Sequence, residues 1–109
     1  MTETDKDADP ARWSACELTA AYKAKKLSPV EALDAILARI ERLDRHVNAF
    51  CLIDRVQARS QARRSEDHWL RGTPRGPLEG VPVSIKDIVL TEGWPTLRGS
   101  RTRFAPPAS

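Results

Sequence analysis

One apolar segment, VPVSIKDIVL at residues 81–90, is all that this chain offers in the way of a β-strand. Val81, Val83 and Ile85 alternate with Pro82, Ser84 and Lys86, the two-residue period that places one set of side chains on each face of a sheet. A solitary strand leaves its backbone N–H and C=O groups unpaired along both edges, so it needs neighbours. No second segment among the 109 residues offers a convincing partner. The sequence therefore predicts either an N-terminal fragment of a larger sheet or a chain that completes itself with a partner.

Upstream of this segment the chain reads as helix. In WSACELTAAYKAKKLS, Ser14 followed by Glu17 forms a capping box, in which each side chain satisfies a backbone N–H at the start of a helix. Leu18, Ala21 and Tyr22 carry an apolar stripe, and Lys23, Lys25 and Lys26 suit the negative end of the helix dipole, giving a helix over about 15–25. The segment SPVEALDAILARIERLDRHVNAF repeats the pattern. Ser28 is the cap, Glu31 closes the box, and Pro29 falls at the first helical position, where its missing N–H costs nothing. Leu33, Ile36, Leu37, Ile40 and Leu43 recur at three- and four-residue steps, with Asp34, Arg39, Glu41, Arg42 and Arg45 opposite, so a helix is expected over about 29–45. A third, more polar helix over about 53–70 ends at the Gly- and Pro-rich loop RGTPRGPLEG. Residues 1–13 are expected to be a disordered acidic tail, and 14–109 one partial domain.

Hydrophobic residues make up 40% and charged residues 30%, the balance of a soluble globular chain. No apolar run approaches the roughly 18–20 residues needed to span a bilayer, and the polar start MTETDKDADP is unlike a signal peptide, which predicts a cytoplasmic, non-membrane protein. Cys16 and Cys51 form no CxxC pair and read as reduced thiols. His46 and His68 have no partners at metal-ligand spacing, and Trp13, Trp69 and Trp94 are scattered as packing residues are. The basic excess lies in residues 55–109, with ten Lys/Arg against five Asp/Glu. Arg55, Arg59 and Arg63 fall on one helical face, but no interleaved aromatics or glycine-rich loop accompany them. They read as a solvated face, and nucleic acid is not an expected partner.

Lys86, inside the most apolar segment, admits three readings. It could guard an edge strand, its ammonium reaching water along the aliphatic stem. It could be buried against a carboxylate such as Glu79 or Asp87, although Asp87, as the adjacent residue, points to the opposite face. It could also be a general base. At an ordinary pKa of about 10.4 only about one lysine in a few thousand is neutral at pH 7, so that role requires a desolvated position.

The stretch GPLEGVPVSIKDIVLTEGWPTLRGS resembles the first sequence block of the amidase signature family. It carries a Gly-Pro-Leu-x-Gly-Val-Pro loop at Gly76 to Pro82, Lys86-Asp87, a Gly-x-Pro-Thr turn at Gly93 to Thr96, and Gly99-Ser100. The helical segment ending in Asn48-Ala49-Phe50 is similar to that family's N-terminal helical pair. The resemblance implies an α/β chain: helices at about 15–25, 29–45 and 53–70 leading into the first strand, about 81–89, of a mixed sheet that the chain does not complete. It implies hydrolysis of carboxamide C–N bonds by a Ser–Ser–Lys triad without metal or cofactor. Lys86 would be the lysine, drawing a proton from the nucleophilic serine through a bridging serine. Asp87 would be structural, and Gly76, Gly80, Pro82 and Gly93 would shape the loop and turn.

Both serines of that triad lie in a Gly-Gly-Ser-Ser-Gly-Gly-like stretch, which this sequence lacks. The expectation is thus an N-terminal fragment, inactive alone, that needs the remaining C-terminal part of the amidase domain to pair its strand edges and to act on a small-molecule amide. The alternatives are the corresponding part of the A subunit of a glutamine-hydrolysing tRNA-dependent amidotransferase, or a non-catalytic helical interaction module.

Overall fold

The computed structural model describes residues 8–86, 89 and 92–94. The chain falls into two compact units. One comprises the residues up to Ala49 together with Ile53–Pro82, the other Phe50–Leu52 with the chain from Val83 on. Among the described residues the first unit holds the α-helices α1 (Ala15–Lys23), α2 (Pro29–Val47) and α3 (Arg55–Leu70), preceded by a 3-10 turn at Pro10–Arg12.

Local chemistry fixes where each helix begins. Ser14 Oγ accepts the Glu17 N–H at 3.1 Å while the Glu17 carboxylate accepts the Ser14 N–H at 2.9 Å. Ser28 and Glu31 do the same at 3.1 and 3.0 Å, with Pro29 opening the helix as its sequence predicts. Asp54 caps α3 by accepting the Gln57 N–H at 3.0 Å, which starts that helix two residues later than its composition suggests. The ends are equally local. α1 stops at Lys23, where Lys25 takes a left-handed φ of 59° and the N–H groups of Lys25 and Lys26 turn back to the carbonyls of Tyr22 and Ala21. α2 continues to Val47 and stops at left-handed Asn48, a residue that tolerates this conformation.

α2 packs against α3 and against the Pro10–Arg12 turn. Leu33 and Leu37 of α2 meet Ala62 of α3, with Val30, Ile53 and Ala58 around them. Leu18, Tyr22 and Ala32 form a second cluster, flanked by Trp13, Leu27 and Trp69. The Arg59 guanidinium spans α3 to α2 and grips Asp34 Oδ1 with Nη2 at 2.6 Å and Nε at 3.1 Å. Both side chains are nearly half exposed, so the pair contributes no more than about 1 kcal/mol. It does correct one expectation, because Arg59 is an inter-helix tie while Arg55 and Arg63 face solvent. The tail expected over 1–13 falls partly on residues 1–7, outside the described set. Within the rest, Asp9 caps the Pro10–Arg12 turn and Trp13 packs on the core.

The expected α/β architecture is overturned. Among the described residues there is no β-strand, and the first strand of a mixed sheet expected over 81–89 is not formed: Val81 to Lys86 belong to no regular element. The Val89 N–H bonds the Lys86 carbonyl at 3.1 Å, a bond within the segment itself and not to a neighbouring strand. Alternating apolar residues favour a strand only where a partner pairs the backbone and another layer covers one face. Val83, Ile85 and Val89 are 79%, 49% and 53% exposed, so no such layer covers them. The described chain is helical.

Because the Ser28 box holds the start of the longest helix, Ser28→Ala should cost about 1 kcal/mol and lower the melting temperature by about 4–8 °C. Exposed Ser60→Ala, in the middle of α3, should change stability by no more than about 0.5 kcal/mol. Thermal melts followed by circular dichroism check both.

Candidate functional site

Lys86 lies in the second unit with its side chain exposed, and Ser84 is exposed as well. The desolvated strand position that would make a base of this lysine is therefore not assembled among the described residues. Asp87, Pro95, Thr96, Gly99 and Ser100, the other landmarks of the block, lie outside them. Glu79, one of the two carboxylates weighed as a partner for Lys86, is engaged with Arg75 and Ser65.

Among the described residues, a connected polar arrangement is built on the loop that precedes Lys86 in the chain. The Glu79 carboxylate is buried, its side chain only 5% exposed. It accepts the Ser65 hydroxyl of α3 at 2.8 Å and the Arg75 guanidinium at 3.0 Å (Nε) and 3.2 Å (Nη2). The Glu79 backbone carbonyl accepts the Trp69 indole N–H at 2.9 Å, and the next carbonyl, of Gly80, accepts the Tyr22 hydroxyl of α1 at 2.9 Å. Gly80 has φ +82°, and a Cβ there would come within 2.7 Å of Cγ of Pro29, the fully buried first residue of α2. Two successive residues thus touch all three helices. The rings of Tyr22 and Trp69, whose polar ends both bond this turn, pack at a tilt of 50° with centroids 6.0 Å apart.

Electrostatics follow from this geometry. Hydrogen bonding by Arg75 is the largest cause that holds the Glu79 carboxyl down at about 2; burial opposes it and the Ser65 hydroxyl adds to it. The guanidinium of Arg75 is in turn raised, chiefly by its hydrogen bond to Glu79. Burial pushes the Tyr22 phenol up to about 12, so its proton stays available to the Gly80 carbonyl. A buried charge is tolerated when it is paired and its lone pairs are filled, and no described buried side-chain polar atom lacks a partner. A carboxylate held this way is a poor base. Its chemistry is structural, holding the chain at Glu79 and Gly80 against the helices.

Of Gly76, Gly80, Pro82 and Gly93, which the resemblance gave a shaping role, Gly80 is the glycine packed against a helix, and the sequence reading missed Ser65, Tyr22 and Trp69 as partners of the loop. The available signal was Glu79 itself, a lone carboxylate in an apolar loop four residues after Arg75. Among the described residues no group of His, Cys, Asp and Glu could hold a metal ion, Cys16 and Cys51 are free and exposed, and no helix is long and apolar enough to cross a membrane.

The amidase family profile matches residues 31–109, which includes this loop and the Lys86 segment. The chain belongs to the amidase family. Its similar relatives include the A subunit of glutamyl-tRNA(Gln) amidotransferase from Streptomyces avermitilis, 42% identical over 98 residues that cover 90% of this chain and 20% of that protein. The same-named subunits of Streptomyces coelicolor and Myxococcus xanthus are 43% and 44% identical over 85% and 84% of this chain. The chain spans about a fifth of the length of these relatives. No solved structure matches it.

Gly80→Ala should destabilise the chain by about 3 kcal/mol, from the left-handed backbone and the collision with Pro29 together. Gly72→Ala is the control, since φ is +71° but nothing lies within 4 Å, and about 1 kcal/mol is expected. Urea titration separates them. The two shifted groups also bound the pH range of stability. Glu79 contributes above the unfolded value of 4.5 and its contribution is lost as pH falls toward about 2. Tyr22 contributes fully below 10.0 and its contribution is lost as pH rises through about 12. Tyr22 is the one tyrosine in the sequence, so tyrosinate absorbance should rise with a midpoint near 12, and Glu79→Gln should flatten the acid limb.

Proposed function

We propose that this chain is the N-terminal part of an amidotransferase A subunit, in which Lys86 is the base of an amide-hydrolysing site that releases ammonia from glutamine. The observation that carries this reading is the shared name of relatives 42–44% identical over 84–90% of the chain, which favours the amidotransferase over a free-standing amidase. The Gly76–Pro82 loop, Lys86-Asp87 and the Gly93–Thr96 turn support the assignment of Lys86 within the family block.

The chemistry proposed for Lys86 is proton transfer. A serine hydroxyl is a weak nucleophile until a neighbouring base takes its proton, and a lysine can do so where burial disfavours the ammonium. In this reading the lysine acts through a bridging serine on the nucleophilic serine. An acyl-enzyme forms, ammonia leaves and water releases the acid. Neither glycine-flanked serine is in the 109-residue sequence, and Lys86 is solvent-exposed here, so both the partners and the desolvation come from chain beyond this segment. The Glu79–Gly80 turn would anchor the entry to the lysine segment.

A chimera tests the proposal. The matching segment of the Streptomyces coelicolor protein is replaced by this chain, and glutamine hydrolysis by the assembled enzyme is measured. Lys86→Ala should cut turnover by about a thousandfold or more with little change in helix content, and Lys86→Arg, which cannot shed its proton, should not restore it. Unchanged turnover in Lys86→Ala would remove the lysine from the mechanism. The 109-residue chain alone should hydrolyse no glutamine.

A further inference from the structure

The first unit carries a second feature that amide hydrolysis does not use. The end of α1 and the loop after α3 border an open surface groove of about 570 Å³. Lys23, Lys25 and Arg71 line it together with the half-buried indole of Trp69, Pro74 and Pro77. No carboxylate lines it, and none of the three cations makes an ion pair among the described residues.

Lys25 is the telling residue. It occupies the left-handed position that ends α1, with φ 59°, where glycine is the unstrained choice. Complementing the helix dipole does not explain a lysine there, since that requires only charge, which Lys23 already supplies from within the helix. Strain held at a single residue is expected where the side chain has a task. Here the side chain joins two other unpaired cations beside an aromatic wall.

The geometry points to a binding groove for single-stranded nucleic acid, with Lys23, Lys25 and Arg71 meeting successive phosphates and Trp69 offering a surface for a base. Cations tracking a backbone beside an aromatic ring is how unpaired strands are held, and an open groove suits an extended ligand better than an enclosed small molecule. Arg55, Arg59 and Arg63 do not line the groove, and the site does not rest on the role of Lys86. Its cations come from positions 23, 25 and 71, which is why no run of sequence displays it.

Fluorescence anisotropy of a labelled oligouridylate of about ten nucleotides, a length within the range of such sites, tests this on the full chain. Binding should saturate at about 50 mM salt, and the logarithm of affinity should fall with the logarithm of salt with a slope of about −2, as three phosphate contacts on a single strand require. Lys25→Gly should weaken binding about threefold or more while melting at or above the parent temperature, so lost binding cannot be ascribed to lost folding. Lys23→Ala with Arg71→Ala should weaken it more than tenfold, and Arg55→Ala with Arg63→Ala should leave it unchanged. Absence of saturable binding, indifference to Lys25→Gly, or loss through the Arg55 and Arg63 variant would overturn the proposal. So would an equally tight complex with tripolyphosphate, which has no base to stack.

Discussion

The hydrogen bonds accepted by the Glu79 carboxylate and by the backbone carbonyls of Glu79 and Gly80 are the interactions on which the helical unit depends. Helices of 9, 19 and 16 residues do not hold one another firmly through a few leucines and alanines. The loop closes the gap. Its carboxylate is tied to Ser65 of α3, its first carbonyl to Trp69, its second to Tyr22 of α1, and its glycine lies against Pro29 of α2. Removing the Trp69 or the Tyr22 donor leaves a part-buried backbone carbonyl unpaired, which costs more than the bond contributed, so these ties support one another. Arg75 is exposed at the outer side and keeps Glu79 ionised without being buried itself.

This arrangement bears on function through its place in the chain. The residues that make the turn are those of the Gly-Pro-Leu-x-Gly-Val-Pro loop, and Glu79 fills the variable position. The helical unit therefore ends in a fixed peptide, and the segment bearing Lys86 starts three residues after Gly80 in the second unit. There the apolar side chains of Val83, Ile85 and Val89 are largely exposed. A general base needs desolvation, and Lys86 is exposed, so the proposed chemistry needs further chain to cover it.

Features set by near neighbours in sequence were legible. Both capping boxes, Pro29 at the first helical turn and the stripe Leu33, Ile36, Leu37, Ile40 and Leu43 depend on residues three or four apart. The boxes and Pro29 stand where the sequence places them, and the stripe is buried at Leu33 and Leu37 and half-buried at Ile36 and Ile40, while Leu43 at its end is 40% exposed. The contacts that assemble the unit were not legible. Tyr22 meets Gly80 across 58 residues and Arg59 meets Asp34 across 25, separations that no periodicity encodes. Alternation at 81–89 misled because it records what a strand would bury, while strand formation is decided by partners that the segment does not contain. The groove beside Trp69 was hidden for the same reason, its cations coming from two helix ends far apart in the chain.

Native-state amide hydrogen exchange on the 109-residue chain and on Glu79→Ala tests the central claim most directly. If the turn holds the helices together, α1 amides around Leu18 to Tyr22 lose protection along with α3 amides around Ser65 to Trp69, although the Glu79 side chain bonds no residue of α1. Loss confined to residues 71–82, with α1 as protected as in the parent, would contradict it.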